Sequence, residues 1–303
     1  MSVALRLSRP RTATMANKLF LALWCLFGAS SDSPAAESVR LTTDGRLKRD
    51  PVFINRGMEV IFASQHDAPR LVLKRLHLQR RTVERLHPTA PLPEFRPSYS
   101  QDEQTLSFLQ MTGNDSLTLR VLRYPGTNAM AISAAKKVVW HASITPNGKR
   151  VVYSASGHIY SRPVQGGSEK RLTDGVGRHN WPTVSPDGNS VAFGSSRSGD
   201  FEIYTMKLDG SSVRRLTKSR GMDLRPNWSS DSKYLAYTSS RGGNYDIFLI
   251  SADGRKQARL TNNEERDDYP AWHPSGKSVI AVTERKGMFD LYMYDVPQSL
   301  VTD

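Results

Sequence analysis

The sequence predicts an all-β chain folded as a six-bladed β-propeller, in which each blade is a sheet of four antiparallel strands. Three observations support this prediction. A similar phrase recurs six times at intervals of about 44 residues, a period typical of propeller blades. Each copy contains two short strands joined by turn residues. The last copy lacks a fourth strand, and a segment that matches the missing strand precedes the first copy.

The repeated phrase encodes a β-hairpin. Its clearest copies occupy residues 181–193, 225–237 and 269–281. Aligned copies share a proline column, whose members are Pro51, Pro97, Ala142, Pro182, Pro226 and Pro270. Turn residues follow this column, as in Pro-Asp-Gly at 186–188. Proline presets φ and glycine accepts positive φ, so these residues predict a tight turn between two strands.

A third and a fourth strand follow the hairpin. The third strand is predicted at residues 202–206, 246–250 and 290–294, because each segment follows a polar, glycine-bearing loop and is rich in aliphatic and aromatic side chains. The motif Arg-Leu-Thr marks the fourth strand at residues 170–173, 214–217 and 258–261. In the second repeat we assign the fourth strand to residues 129–133.

The N-terminal strand is predicted to close the ring. Val-Arg-Leu-Thr at residues 39–42 matches the fourth-strand motif, and the sixth repeat stops after its third strand. If residues 39–42 complete the last blade, the two chain ends leave no sheet edge unpaired between them. The propeller is therefore expected to span residues 37–303.

The first 36 residues have the pattern of an export signal. A basic stretch precedes about ten apolar residues, 19–28, which are too few to span a bilayer. Small residues favour cleavage near Ala36, and Met15 is an alternative start. Cys25, the only cysteine, lies within the apolar run, so the mature chain is expected to have neither a disulfide nor a thiol nucleophile. We expect a periplasmic or secreted protein with no transmembrane segment after cleavage.

The formal net charge of +13 is typical of a solvated basic surface; the alternative is binding to an acidic protein, a polysaccharide, nucleic acid or another anionic surface. Basic residues cluster between Arg70 and Arg96. Nucleic acid would bind such a patch without sequence specificity and in a salt-sensitive way. Because the chain is predicted to be exported, we expect no specific nucleic-acid partner.

These motifs resemble the repeat of the TolB-type, WD-like propeller family. The shared features are the Trp-Ser-Pro-Asp-Gly-like hairpin, the Ser-x-Arg-x-Gly loop, the Asp-Ile-Tyr strand and the Asp-Gly turn. The resemblance is strongest in the last four repeats. It implies a six-bladed propeller like the C-terminal module of TolB, without the α/β domain that precedes that module. It also implies a periplasmic binding protein, since TolB binds the peptidoglycan-associated lipoprotein.

No catalytic motif is recognisable in the sequence. It has neither the Gly-x-Ser-x-Gly of α/β-hydrolases nor the His-Glu-x-x-His of zinc proteases. Gly-Lys-Ser at 276–278 resembles the end of a phosphate-binding loop but falls on a hairpin turn. His141, His179 and His273 occupy different positions of the repeat, which disfavours a shared metal centre. We expect no catalytic residue, no metal and no cofactor.

The candidate site lies where the inner strands begin, three positions before the proline column. This position differs between repeats and holds Glu94, His179, Asp223 and Asp267, with Leu47 and Val139 in the other two repeats. The neighbouring Arg96, Arg225 and Tyr269 complete the predicted site. Six inner strands converge on the channel, so these side chains are expected to form a funnel that holds a partner loop or a small polar ligand. The alternative is a set of salt bridges around a water-filled channel.

Other charged residues recur at equivalent positions of several repeats. They are Arg197, Arg241 and Arg285 in loops, and Glu202, Asp246 and Asp290 at the start of the next strand. A binding site rarely needs the same charges in every blade. We therefore expect these residues to form ion pairs and hydrogen bonds within or between blades.

The sequence thus predicts a non-catalytic, monomeric binding propeller. Its expected partner is an envelope protein, a peptide or a glycan, held by one face of the disc and the channel mouth. The alternative is a lyase or hydrolase centred on the channel and acting on an anionic polysaccharide, a substrate that the basic charge would suit.

Overall fold

The computed structural model describes residues 38–67, 70–113, 116–124, 126, 128–132 and 138–301. Within these ranges the chain forms six sheets, each with four antiparallel strands. The all-β class and the six-bladed propeller are therefore confirmed. The predicted signal peptide, residues 1–36, lies outside the described residues. Within the described residues, no helix has the length and apolar character needed to cross a membrane.

The first half of the propeller contains blades 1 to 3. Strand β1 (Ser38–Arg40) precedes them in sequence. Blade 1 contains β2 (Lys48–Ile54), β3 (Glu59–Gln65), β4 (Leu71–His77) and β5 (Thr82–Arg85), with a 3-10 turn at Asn55–Gly57. Blade 2 contains β6 (Glu94–Tyr99), β7 (Thr105–Met111), β8 (Leu117–Arg123) and β9 (Ala129–Ile132). Blade 3 contains β10 (Val139–Ile144), β11 (Arg150–Ala155), β12 (His158–Pro163) and β13 (Lys170–Arg171).

The second half follows the same plan. Blade 4 contains β14 (His179–Val184), β15 (Ser190–Ser195), β16 (Glu202–Lys207) and β17 (Arg214–Arg215). Blade 5 contains β18 (Asp223–Trp228), β19 (Tyr234–Ser239), β20 (Asp246–Ser251) and β21 (Gln257–Arg259). Blade 6 contains β22 (Asp267–Trp272), β23 (Ser278–Arg285), β24 (Met288–Asp295) and β1, and a short helix α1 (Gln298–Val301) follows it.

Two strand predictions that depended on weak sequence signals are confirmed. β1 pairs with β24, with Val39 opposite Met293, and the Leu41 amide donates to the Leu291 carbonyl at 2.7 Å. β9 pairs with β8 at the position assigned to the outer strand of blade 2; residue 133 lies outside the described residues. The chain ends therefore share one sheet.

The apolar core lies between neighbouring blades. Leu109 of blade 2 and Tyr153 of blade 3 belong to one buried cluster, and Ile203 of blade 4 and Leu235 of blade 5 belong to another. All four side chains are fully buried. Because each blade covers the face of the next, no blade buries its core alone, and stability depends on closing the ring.

A buried ionic cluster lies where the ring closes. Asp290 of β24 accepts hydrogen bonds from Arg40 Nη2 at 2.6 Å, Thr42 Oγ1 at 2.7 Å and Lys48 Nζ at 3.1 Å. Lys48 belongs to β2 in blade 1 and its side chain is 1% exposed. We call Arg40, Thr42, Lys48 and Asp290 the closure cluster. It joins the N-terminal strand, the last blade and the first blade through one carboxylate.

Recurring ion pairs connect the last strands of one blade. Arg215 Nη2 donates to Glu202 at 2.6 Å in blade 4, and Arg259 Nη2 donates to Asp246 at 2.7 Å in blade 5. In both cases the Nε atom of the arginine donates to the carbonyl of the Arg-Leu-Thr threonine. The carboxylates are almost fully buried, so the guanidinium groups compensate charges that would otherwise be costly to bury.

A second set of ion pairs connects the loop arginines to the inner strands. Arg241 Nη2 lies 3.0 Å from Asp223 Oδ2, and Arg285 Nη1 lies 3.6 Å from Asp267 Oδ1. Both carboxylates are fully buried. The expected ion pairs are therefore present for Arg241 and Arg285, and their partners are residues that the sequence placed in the candidate site. Arg197 instead donates to Ser195 Oγ at 3.2 Å.

Candidate binding site in the central channel

A β-bulge interrupts the inner strand of every blade next to the proline column. The pairing register shifts between Arg49 and Val52 in blade 1 and at the equivalent place in blades 2, 4, 5 and 6. In blade 3 the shift lies slightly earlier, between Val139 and His141. In five blades the residue before the proline has a positive φ of 52° to 54°. These five residues are Asp50, Arg96, Trp181, Arg225 and Tyr269. Left-handed backbone at a non-glycine residue costs about 1 kcal/mol and is typical of functional sites.

The bulge brings one side chain from each blade to the central channel. We call the six residues at this position the channel ring, and they are Asp50, Arg96, His141, Trp181, Arg225 and Tyr269. All six line a cavity of about 450 Å³. The cavity extends to the hairpin turns that join the first and second strands, including Arg56 and Pro186. Its mouth is therefore on the face of the disc that carries these turns.

Neighbouring blades interlock around the channel ring. The Arg225 guanidinium lies 4.5 Å from the Tyr269 ring centroid and 5.3 Å from that of Trp181. Arg225 Nη1 also donates to Asp268 Oδ1 at 3.2 Å, and the same oxygen accepts the Tyr269 amide at 2.8 Å. Asp268 therefore supports the bulge of its own strand while it orients an arginine of the preceding blade.

His141 is also held by a residue of the following blade that supports the bulge of its own strand. Its Nδ1 atom lies 2.8 Å from Asn180 Oδ1, which also accepts the Trp181 amide at 2.9 Å. Burial and then the nearby Arg96 guanidinium hold the pKa of His141 well below its usual range. The imidazole is therefore neutral at physiological pH.

A second cavity, of about 350 Å³, lies on the other side of the ring. Arg225 and Tyr269 line both cavities, whereas Arg49 and Arg266 line only the second. The Arg49 guanidinium lies 5.3 Å from the Tyr269 ring centroid. Arg225 and Tyr269 thus separate the channel into two chambers.

The two chambers carry an excess of positive charge. Their lining contains five guanidinium groups, one ammonium group and three carboxylates, which belong to Arg49, Arg56, Arg96, Arg225, Arg266, Lys48, Asp50, Glu103 and Asp268. Burial lowers the pKa of Arg96 to about 10, although the Asp50 carboxylate opposes this effect. Burial also raises the pKa of Asp50, whose Oδ2 atom has no hydrogen-bonding partner among the described residues. The channel is consequently suited to an anionic group.

Replacing Asp50 with asparagine is expected to stabilise the protein by about 1 kcal/mol at pH 7. Since burial raises the folded-state pKa of Asp50 above its unfolded value, ionisation costs stability as the pH rises, and asparagine removes this cost. Asparagine also tolerates a left-handed backbone. Urea denaturation of wild type and Asp50→Asn at pH 7 and pH 4 measures the gain, which should shrink at the lower pH.

The exposed Asp200→Asn variant provides the control for this measurement. It is expected to leave the free energy of unfolding unchanged at both pH values. An Asp50→Asn variant that is less stable than wild type at pH 7 would contradict a net cost of ionising the buried Asp50.

The seven predicted site residues divide into two groups. Arg96, Arg225 and Tyr269 belong to the channel ring. The other four are buried in or between the sheets, where they bond to protein groups, and they are Glu94, His179, Asp223 and Asp267. Glu94 contacts His87 at 2.9 Å, for example.

Two details of the sequence-based site need revision. In the first repeat, Lys48 and not Leu47 occupies the position three before the proline column, since Lys48 pairs with Ser64 as Asp223 pairs with Ser239. The prediction also omitted Asp50, His141 and Trp181 from the channel. A usable signal was present, because the position before the proline column holds five different residue types in six repeats.

Comparison with known sequences identifies the repeat. Residues 103–302 match the family model described as TolB beta propeller domain. Uncharacterized protein Atu1656 of Agrobacterium fabrum is 40% identical over 67 residues, a segment that covers 21% of this chain and 22% of that protein. The aligned part therefore spans about a fifth of the relative.

Solved structures share the fold at low sequence identity. A structure assigned to TolB of Agrobacterium tumefaciens has a TM-score of 0.66 and 22% identity, and the match covers 85% of this chain and 93% of that one. TolB of Acinetobacter baumannii has a TM-score of 0.68 and 20% identity, over 77% of this chain and 59% of that one. Oligogalacturonate lyase of Vibrio parahaemolyticus has a TM-score of 0.59 and 13% identity, over 89% and 96% of the two chains.

Proposed function

Since the chain belongs to the TolB beta propeller domain family, we propose that it is an exported, non-catalytic binding propeller of the cell envelope. It acts in the periplasm or outside the cell. Its partner is an envelope protein or peptide, or a glycan, engaged through one face of the disc and the mouth of the central channel. Arg96, Arg225 and Tyr269 contact the partner together with the rest of the channel ring.

The composition of the channel ring carries this proposal. Positions that the fold requires repeat the same residue type, as proline does in five of the six copies. The adjacent ring position instead holds a carboxylate, two guanidinium groups, an imidazole and two aromatic rings. Five of these residues adopt a strained backbone. Side chains that vary while their awkward geometry is maintained are better explained by recognition than by folding.

The chemistry of the cavity favours a protein or peptide over a glycan. Sugars stack on open indole faces, but Trp228 and Trp272 at the cavity wall are 7% and 6% exposed, and the Arg225 guanidinium lies over the ring of Trp181. The excess of guanidinium groups suits an acidic side chain or the C-terminal carboxylate of a partner. The faces of Trp181 and Tyr269 on either side of Arg225 suit an apolar group beside that charge.

Glu94, His179, Asp223 and Asp267 have a supporting role in this proposal. Their side chains are buried and bonded to the protein. They fix the starts of the inner strands, and the bulges then direct the ring residues into the channel.

A channel-centred enzyme acting on an anionic polysaccharide is the second candidate. It is favoured by the excess of guanidinium groups and by the fold shared with an oligogalacturonate lyase. A lyase acting on oligogalacturonate would release an unsaturated uronate, which absorbs ultraviolet light. Sustained release by the wild-type protein that is lost in Arg225→Ala would favour this candidate over the binding propeller.

The binding proposal is tested with Arg225→Ala. Arginines at the centre of an interface typically contribute 2 kcal/mol or more, so partner retention from envelope extracts should fall by roughly 30-fold. Immobilised wild-type and variant protein are compared by quantitative mass spectrometry of the retained proteins.

Arg255→Ala is the matched control, because that arginine is 86% exposed in an outer turn. It should retain the partner as wild type does. If Arg225→Ala, with a circular dichroism spectrum like that of wild type, retains the same proteins in the same amounts, the channel ring is not the binding site.

A further inference from the structure

The junction between blades 3 and 4 differs from the two junctions that follow it. Between blades 4 and 5, Arg215 and Arg241 pair with Glu202 and Asp223. Between blades 5 and 6, the equivalent arginines pair with Asp246 and Asp267. Each of these junctions therefore has two guanidinium groups and two carboxylates.

Between blades 3 and 4, histidines occupy both carboxylate positions. His158 begins β12 as Glu202 begins β16, and His179 begins β14 as Asp223 begins β18. The two arginines are retained as Arg171 and Arg197. We call His158, Arg171, His179 and Arg197 the junction cluster.

The arginines of the junction cluster keep the geometry that elsewhere serves a carboxylate. Arg171 Nε donates to the Thr173 carbonyl at 2.7 Å, and its Nη2 atom lies 3.1 Å from His158 Nε2. Arg197 Nε donates to Ser195 Oγ at 3.2 Å, as Arg241 Nε donates to Ser239 Oγ at 2.9 Å.

The two nitrogen atoms at the centre of the cluster lack partners. Arg197 Nη2 and His179 Nε2 are buried and form no hydrogen bond to any described residue. In blade 5 the corresponding Arg241 Nη2 donates to both oxygens of Asp223. The missing partner in the junction cluster is therefore an oxygen acceptor with negative charge.

The electrostatic surroundings agree with this geometry. The His158 and His179 ring centroids are 5.6 Å apart. Burial, then Arg197, His158 and Arg171, lower the pKa of His179 to about 4. The Asp174 side chain lies 3.4 Å from Arg171 and is 93% exposed. Such an exposed group offsets little charge.

We propose that the junction cluster binds a doubly charged oxyanion of the phosphate or sulfate type. Its two charges replace the two carboxylates of the neighbouring junctions, and it accepts hydrogen bonds from Arg197 Nη2, His179 Nε2 and Arg171. The planar guanidinium group of arginine can donate two hydrogen bonds to neighbouring oxygens of one oxyanion. The Arg171 side chain is 43% exposed, so the anion reaches the cluster from solvent. The two guanidinium groups disfavour a metal cation at this pair of imidazoles.

Thermal unfolding with sodium sulfate as the probe tests this proposal, because sulfate stays doubly charged across the pH range used. An anion that binds only the folded state raises the melting temperature by mass action. Wild type should be stabilised by 1 to 20 mM sulfate more than by sodium chloride of equal ionic strength. The apparent affinity should rise at least threefold between pH 8 and pH 5.5. The bound anion favours the protonated form of His179, whose pKa is about 4 without it, so a falling pH strengthens binding. The other charged or titratable groups that face His179 are Arg171, Arg197, His158 and the exposed Asp174 beside Arg171.

The double variant His158→Glu and His179→Asp restores the carboxylates of the other junctions. It should unfold at a higher temperature than wild type without sulfate, and it should lose the sulfate-specific shift. The charge-matched control is the pair His66→Asp and His77→Glu in blade 1, which should retain the shift. Arg197→Ala, a smaller change, should lower the apparent affinity for sulfate at least tenfold.

Glycerol phosphate distinguishes the source of the anion. A stronger shift with this ester than with inorganic phosphate would indicate a phosphomonoester of a larger molecule, and an equal shift would indicate the free ion; either result supports the site. The proposal is overturned if wild type responds to sulfate no more than to chloride. It is also overturned if Arg197→Ala or the double variant keeps the full sulfate shift.

Discussion

Asp290→Asn is expected to lower the free energy of unfolding by about 3 to 5 kcal/mol. The Asp290 carboxylate is 2% exposed and accepts hydrogen bonds from Arg40, Thr42 and Lys48. Asparagine keeps the volume but removes the charge. Among the described residues, Lys48, which is 1% exposed, then keeps the partly exposed Asp44 as its carboxylate partner. Because the closure cluster joins both ends of the chain, its loss weakens the whole ring.

Urea denaturation followed by tryptophan fluorescence measures this loss. Asp295→Asn on the same strand is the control, since that carboxylate is exposed, and it should change stability by less than about 0.5 kcal/mol. Deleting residues 38–42 should destabilise at least as much as Asp290→Asn, because blade 6 then also loses a strand. Equal stability of Asp290→Asn and Asp295→Asn would mean that closure does not depend on the buried cluster.

Asp267→Ala is expected to cost a similar amount, about 3 to 5 kcal/mol, while partner binding by the folded protein stays unchanged. Asp267 is fully buried and accepts hydrogen bonds from Thr283 Oγ1 at 2.7 Å and Asn263 Nδ2 at 2.6 Å. Alanine leaves those donors and Arg285 without their acceptor. The same side chain is absent from the lining of both described cavities.

Stability and retention measurements on the same variants separate the two roles. Asp267→Ala should lose stability and keep the partner, whereas Arg225→Ala should lose the partner. Glu264→Ala, an exposed change three residues earlier, should alter neither property. Loss of binding in an Asp267→Ala protein that is fully folded at the assay temperature would show that Asp267 contacts the partner directly.

The fold could be predicted from sequence because its determinants are local and repeated. A turn such as Pro-Asp-Gly at 186–188, followed by the short apolar run that forms β15, specifies a hairpin without distant information. Closure was predictable for a related reason. Residues 39–42 carry the motif that the last repeat lacks, and β1 pairs with β24.

The site was only partly predictable because the bulge changes which side chains reach the channel. A regular strand alternates its side chains, so position alone suggested that Asp223 and Arg225 point to the same side. The left-handed residue before each proline interrupts that alternation, and Asp223 is buried against Arg241 while Arg225 faces the channel. The φ of Arg225 cannot be inferred from its residue type, since arginine rarely adopts it.

Ion pairs between repeats were equally hard to assign. The sequence showed that Arg241 and Asp246 recur in register, but not which acid each arginine meets. Arg241 pairs with Asp223 on the inner strand, and Asp246 pairs with Arg259 on the outer strand. The two residues of each pair are 13 or more positions apart in the sequence. Whether an arginine reaches a given carboxylate therefore depends on how the strands are arranged in the folded blade.

Site-specific photocrosslinking in intact cells tests most directly whether the channel ring holds the partner. A photoreactive phenylalanine analogue replaces Trp181 in the ring, and the same analogue replaces Val83 on the outer strand β5 as control. The account predicts a discrete adduct from position 181, identified by mass spectrometry, that is absent from position 83 and lost when Arg225→Ala is added. No adduct from position 181, or the same adducts from both positions, would contradict it.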